Sequence, residues 1–195
     1  MGISRRQLIG SGLSAGLLFN HQVSASEPFK INTSEAKDVE YKYQRREMAY
    51  ETNEPTGTII VDPVYRFLYF VLGGGQARRY GVSVGKSTKA WKGEVVIKKM
   101  AEWPVWTPAP YHIQVKPELA KYLPNGMLGG LDNPLGARAL YLFKGEVDTI
   151  NRIHGSAKPS DIGLKHTAGC IGMLNVDIVH LYSTVQLGTR VIMLG

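Results

Sequence analysis

The chain carries one cysteine, Cys170, in the run His166-Thr167-Ala168-Gly169-Cys170-Ile171-Gly172-Met173. Sixteen residues upstream, Ile153-His154-Gly155 offers an imidazole at the end of an apolar stretch. A thiol flanked by glycine and within reach of a histidine is the raw material of a cysteine acyl-transferase. The thiolate is the nucleophile, and a free thiol with a pKa of about 8.5 is only slightly ionised at neutral pH. A neighbouring imidazole takes the proton and can later return it. On residue type alone the opposing reading is as simple: a lone cysteine is often a small buried hydrophobe.

The N-terminus sharpens the question. Ser4-Arg5-Arg6-Gln7-Leu8-Ile9 precedes a short apolar stretch from Gly10 to Phe19 and then Val23-Ser24-Ala25. A charged segment, an apolar segment and a small-residue cleavage site in that order predict a signal peptide over residues 1–25. The paired arginines point to the twin-arginine route, with Leu8 keeping the general secretory route open. The apolar run is well short of the roughly 20 residues of a spanning helix, so no stable membrane span is expected. The expected location is the periplasm, with the mature chain starting near Ser26.

Export changes the meaning of the thiol. Exported proteins use cysteines mostly in pairs, and a single one allows no internal disulfide. The five histidines (His21, His112, His154, His166 and His180) are scattered, so neither a metal site nor a cofactor is expected. The formal charge of +7 includes Arg5 and Arg6 of the leader, and the remaining basic residues are dispersed in short pairs such as Arg78-Arg79. That pattern resembles no nucleic-acid module and suits an acidic substrate, though a merely soluble basic surface explains it equally well.

These groups need a scaffold to hold them. Residues 26–55 are polar with little periodicity and read as a leader arm that packs on the domain. From Thr58 onward, runs rich in Ile, Val, Phe, Tyr and Leu predict strands at 58–62, 66–72, 77–84, 93–98, 139–143, 149–154 and 189–194. Pro117–Tyr122 predicts a short helix with proline in its first turn. A second helix is expected to start with Asn175 as its cap, bury Ile178, Leu181, Tyr182 and Val185, and end by Gly188. His180 falls on that helix as a packing residue, and His112 reads as structural. The long connections around Trp103-Pro104-Val105-Trp106 and from Asn125 to Gly136 are the length at which loops are usually functional. Trp103 and Trp106 could line a substrate cleft or fill the core.

Taken in order, His154-Gly155, Ile162-Gly163, Thr167-Ala168-Gly169-Cys170-Ile171-Gly172-Met173, Asn175, Asp177, Leu181-Tyr182 and Gly188-Thr189 resemble the L,D-transpeptidase (YkuD-type) catalytic domain. The likeness extends to Gly57–Val61, Tyr80–Gly85 and Asn133–Ala139, and so covers roughly residues 56–195. It implies a mainly β, sandwich-like fold with a few short helices. It also implies a reaction on peptidoglycan stem tetrapeptides, in which the thiol displaces D-alanine and the thioester passes to an amine. The products are cross-links between third residues, or attachment of an outer-membrane protein. By the family pattern, Cys170 is the nucleophile and His154 the general base, supported by Gly155, Thr167 and Gly169. The chain departs from the pattern at Ala168, often a histidine, and at Gly172, commonly an arginine that orients substrate carboxylates or braces the loop. Arg138, Arg152 or Lys165 could offset that loss, and Trp103, Trp106, Arg138 and Arg152 are the candidates for substrate contact. His166 is a second possible base. Hydrolysis of the thioester, or a binding module that has lost catalysis, are the alternatives.

Overall fold

The computed structural model describes residues 27–85, 93–155, 158–167 and 169–195, together with the backbone but not the side chains of His166 and Thr167. The expected signal peptide and Ala168 lie outside the described residues. Among the described residues, eleven strands form one hydrogen-bonded ladder: β1 (Arg46–Ala49), β2 (Ile59–Asp62), β3 (Phe67–Gly73), β4 (Gln76–Gly81), β5 (Ser83–Gly85), β6 (Gly93–Glu102), β7 (Arg138–Lys144), β8 (Val147–Gly155), β9 (Lys165–Thr167), β10 (Ile171–Met173) and β11 (Arg190–Met193). Their order across the sheet is β1-β4-β3-β2-β11-β6-β7-β8-β10-β5-β9. The fold is mainly β with few short helices, α1 (Pro110–Val115) and α2 (Asn175–Tyr182) among them.

One residue explains how this ladder encloses a core. The expected continuous strand 77–84 is broken at Val82, which alone separates β4, near one end of the order, from β5, near the other. The two ends of the sheet must therefore come together. The packing agrees: Leu68 and Tyr80 from one end share a buried cluster with Val84 and Ile171 from the other, and with Leu140, Leu142 and Ile153 from the middle. Full burial of each such Val, Leu or Ile stabilises the fold by roughly 1.5–3 kcal/mol. At the bend, a Cβ on Gly81 would stand 2.4 Å from the Tyr43 carbonyl oxygen, so the corner admits only glycine at that approach.

The polar N-terminal residues are ordered against this body. Thr33–Asp38 and Tyr41–Tyr43 are 3-10 turns, and β1 pairs antiparallel with β4 from Arg46↔Arg79 to Ala49↔Gln76. Helix α2 packs Ile178 and Leu181 into the core. Its start differs from the expected one. Leu174 is the cap residue, and Asn175, already helical, turns its side chain away to accept from the Ala137 N–H at 2.9 Å. The orphan donor at Val176 is satisfied instead by Glu35 Oε1 at 2.8 Å. The expected helix at Pro117–Tyr122 is 3-10, and α1 just before it buries no residue.

Candidate active site

Strands β8 and β10 run parallel and set the site. Ile171 lies opposite Ile153, Gly172 opposite His154, and Met173 opposite Gly155. Side chains alternate along a strand. Ile153 and Ile171 therefore point into the core, while His154 and Gly172 face the other side of the sheet. Cys170, immediately before β10, continues the alternation onto the face of His154 and lies alongside Arg152.

The imidazole is held in one tautomer. His154 is 8% exposed, and its Nδ1 lies 2.5 Å from the Gly155 carbonyl oxygen. A carbonyl only accepts, so Nδ1 carries the proton and Nε2 keeps its lone pair. Burial pulls the imidazole pKa down to about 4, against the Gly155 carbonyl, which favours the charged ring, and with the positive charge of Arg152, which disfavours it. At neutral pH the ring is an uncharged base.

Cys170 is partly exposed. Burial pushes its thiol up from the ordinary value, and the Arg152 N–H and guanidinium charge pull it back down. The pair at rest is therefore a neutral imidazole and a protonated thiol. The loop before the thiol is built on close backbone approach. Gly169 has φ 148°, and a Cβ on Gly85 would stand 2.1 Å from the Gly169 nitrogen. Gly85 and Gly169 thus pack backbone to backbone beside the thiol, leaving no room for a side chain on Gly85. Thr167 ends β9, opposite Gly85 of β5.

The end of β8 is wedged in place. Asn175 Oδ1, bonded to the Ala137 N–H, sits where a Cβ on Gly155 (2.2 Å) or on Gly136 (2.3 Å) would lie. Two backbone segments, Gly136-Ala137 and Gly155, thus converge on one amide oxygen at the residue whose carbonyl orients His154.

The remaining candidates separate by face and by partner. Arg152 is brought to the thiol and is clasped by Asp148. Arg138 is not. It lies on the opposite face of β7 from Ala139, the partner of His154, and is 5% exposed. Its guanidinium is bonded to Glu27, with Glu102 at 3.6 Å and the Tyr182 ring at 5.4 Å. Trp103 donates from Nε1 to the same Glu27 carboxylate at 2.8 Å and packs on Phe29 at 4.8 Å. Trp106 packs edge-on against His112 (5.3 Å) and Tyr122 (6.5 Å). Lys165 is exposed on β9, and His180 Nδ1 lies 3.0 Å from the Tyr80 hydroxyl.

One residue near the thiol was missed by sequence reasoning. Tyr111, on α1, is 43% exposed, and its phenol pKa is raised by burial and by the charge of Cys170. Its ring packs at a tilt against His112, whose Nδ1 accepts from the Ala109 N–H at 2.9 Å. Its only signal was its place between two tryptophan-bearing connections. Among the described residues no group of three His, Cys, Asp or Glu side chains converges as a metal site.

Residues 56–193 match the YkuD family, the L,D-transpeptidase catalytic domain. The chain belongs to that family. It is 33% identical over 122 residues to the "Probable L,D-transpeptidase ErfK/SrfK" of Escherichia coli, covering 63% of this chain and 35% of that protein. It is 36% identical over 137 residues to a "Putative L,D-transpeptidase in ATP synthase subunits region ORF 5" of Fuscovulum blasticum, covering 68% and 67%. The match thus spans only about a third of the E. coli relative.

Among solved structures, one from Brucella melitensis titled "Probable carnitine operon oxidoreductase caia" is 41% identical with a TM-score of 0.55, covering 83% of this chain and 99% of that one. An L,D-transpeptidase from Enterococcus faecium shares the fold at 15% identity and a TM-score of 0.51, covering 72% and 50%. Within the family the departure at Gly172 has a structural counterpart. A Cβ there would stand 2.4 Å from Ser83 Oγ and 3.9 Å from His154 Cε1, so the hydroxyl of the facing strand occupies the space a side chain would need.

Proposed function

We propose that this chain is an exported L,D-transpeptidase that works through a cysteine acyl-enzyme on peptidoglycan stem tetrapeptides. The observation that carries the reading is the tautomer of His154: its Nε2 lone pair is available on the strand adjoining Cys170. In the first half-reaction Nε2 takes the thiol proton as Sγ attacks the carbonyl between the third residue, a diamino acid, and the terminal D-alanine. The C–N bond breaks, the imidazolium gives its proton to the departing amine, and a thioester remains. In the second, the side-chain amine of another stem loses a proton to Nε2 and attacks the thioester carbonyl. The C–S bond breaks and the thiol is restored. N–H groups near Gly169 and Cys170 hold the oxyanion in both steps. Gly155 orients the base and Thr167 supports the loop.

Residues 1–25 serve export to the periplasm, by the twin-arginine route, and residues 26–55 dock on the catalytic domain at 56–195. The acceptor is a second stem peptide or an outer-membrane protein. No helix among the described residues is long and apolar enough to cross a membrane.

Intact-mass spectrometry after incubation with a carbapenem tests the acylation step. The expected result is one adduct per chain, absent in Cys170→Ala and strongly slowed in His154→Ala. A folded protein with a free thiol and no adduct would overturn the enzyme reading in favour of a binding module. Stem tetrapeptide with and without a diamino acceptor then separates cross-linking from hydrolysis by product mass.

A further inference from the structure

Arg152 stands two residues before His154 on β8 and so shares its face, with Cys170 alongside it across the β8–β10 register. Its guanidinium is fixed from two sides. Nη1 and Nη2 bond the two oxygens of Asp148 at 2.7 and 2.8 Å, and Cζ lies 4.3 Å from the Tyr141 ring centroid, on the residue directly opposite in β7. A third bond runs from Nη1 to the Asn151 carbonyl at 2.9 Å. The turn that brings Asp148 back to Arg152 is strained: Ile150 holds φ 62°, unusual for a β-branched residue, and its N–H donates to Asp148 Oδ1 at 2.8 Å. The side chain of Arg152 is only 15% exposed. A rigid, bidentate, ring-backed arginine at a bulge beside a nucleophile is more than a surface ion pair.

We propose that Arg152 is a positioning residue for Cys170: its clamped guanidinium sets the charge at the thiol, and Asp148 tunes that charge by partly offsetting it. The inference rests on Cys170 being the nucleophile. It assigns Arg152 to the enzyme's own reactive atom, and not to substrate. Among the described residues, the other titratable groups on the thiol's side of the sheet are few. His154 on β8 is uncharged, and Tyr111 on α1 and Tyr141 on β7 are neutral phenols. Lys99 on β6 lies across the far side of the cluster, 4.7 Å from the Tyr141 ring. Among the described residues, Arg152 is the cation whose backbone and side chain both act on the sulfur.

The test is the pH dependence of Cys170 alkylation by iodoacetamide in the full-length mature protein, which needs no substrate. Arg152→Met is expected to raise the midpoint by about one pH unit and to slow alkylation at pH 7 about tenfold. Arg152→Lys, which keeps the charge, recovers most of the rate. Asp148→Asn moves the midpoint the opposite way, downward, because the guanidinium loses its counter-charge. Lys98→Met, whose ammonium pairs with Glu146, leaves the profile unchanged. A purely structural clamp moves Arg152→Met and Asp148→Asn in the same direction, and that result overturns the proposal. So does an Arg152→Met profile identical to the parent. If Arg152→Met does not fold, as judged by circular dichroism, the downward shift in Asp148→Asn decides the matter alone. A missing carbapenem adduct together with the opposed shifts would place the failure in the transpeptidase reading and not in the coupling of Arg152 to the thiol.

Discussion

Glu27 and Arg138, separated by 111 residues, form an ion pair in which the guanidinium side chain is 6% exposed and the carboxylate 34%. The same carboxylate accepts from Trp103, and burial, which opposes ionisation, is outweighed there by the Arg138 and Trp103 hydrogen bonds, leaving the Glu27 pKa below its ordinary value. An N-terminal residue thus supplies the main counter-charge of a buried arginine in the sheet.

Removing that counter-charge has a definite cost. Stripping one partner from a buried pair usually destabilises by about 3–5 kcal/mol. Here Glu102 at 3.6 Å and the half-open position of Glu27 reduce it to about 1–3 kcal/mol. Urea unfolding of Glu27→Ala should show that loss, while Cys170 alkylation, read on the opposite face, stays within about twofold of the parent.

With the His154 imidazole pulled down to about 4 by burial, the proposed reaction should keep its base far into the acid range. The ring stays an uncharged base well below the ordinary histidine value of about 6.5. Carbapenem acylation should therefore hold its rate from pH 7 to pH 5 and fall only as the pH approaches 4. An acid limb centred near 6.5 would contradict the buried, Gly155-bonded tautomer. The same depression affects stability: it stabilises fully above the unfolded value and is lost as pH falls from about 6.5 toward 4.

Asp177 titrates in the opposite sense. Burial raises its carboxyl to about 6, against the attraction of Arg45 at 3.3 Å, and Oδ2 has no hydrogen-bond partner. A carboxyl raised on folding favours the folded state most below its unfolded value. That contribution is lost as pH rises through about 6. Thermal melts of the parent compared with Asp177→Asn isolate it: the difference between the two should change between pH 4 and pH 7, with the parent gaining on the acid side. A difference that is flat across that range would refute it.

Gly155 and Asn175 should behave as one unit. Gly155→Ala drives a Cβ into Asn175 Oδ1, and Asn175→Ala leaves the Ala137 N–H without its acceptor. Each change is expected to cost about 1–3 kcal/mol. The double variant should cost clearly less than the sum, because the methyl group then finds the space the amide vacated. Strict additivity in denaturant melts would show that the wedge does not act as described.

Much of the sheet was legible in the sequence because its longer strands carry β-branched runs bounded by glycine and proline, whereas the three-residue strands β9 and β10 beside Cys170 were not expected. Ile59–Asp62, Phe67–Gly73 and Arg190–Met193 lie within a residue or so of their expected limits. Local reasoning failed where distant chain decides the outcome. Asn175 has the residue type of a cap, yet its amide serves Ala137 and the cap falls to Glu35, 141 residues away from Val176. Arg138 and Arg152 were equal candidates in sequence. Their difference lies in strand parity and in the bulge between Tyr141 and Phe143, neither of which composition reveals. Helix α1 was invisible because it buries nothing; His112 and Trp106 hold it by ring contacts.

The single-residue step at Val82 has a kinetic consequence. It requires β5 to join β10, whose residues lie almost ninety positions further along the chain, before the thiol gains its surroundings. β10 must also find β8 in parallel, the pairing that local hairpins cannot nucleate. Closing such long loops is entropically expensive and slow, so the sequence-local hairpin β3–β4 is expected to form before the strands around Cys170 pair. A nascent or partly unfolded chain thus carries a cysteine without its base. Cys170 and His154 adjoin only once β10 has paired with β8, so the alkylation profile of Cys170 should report on that pairing.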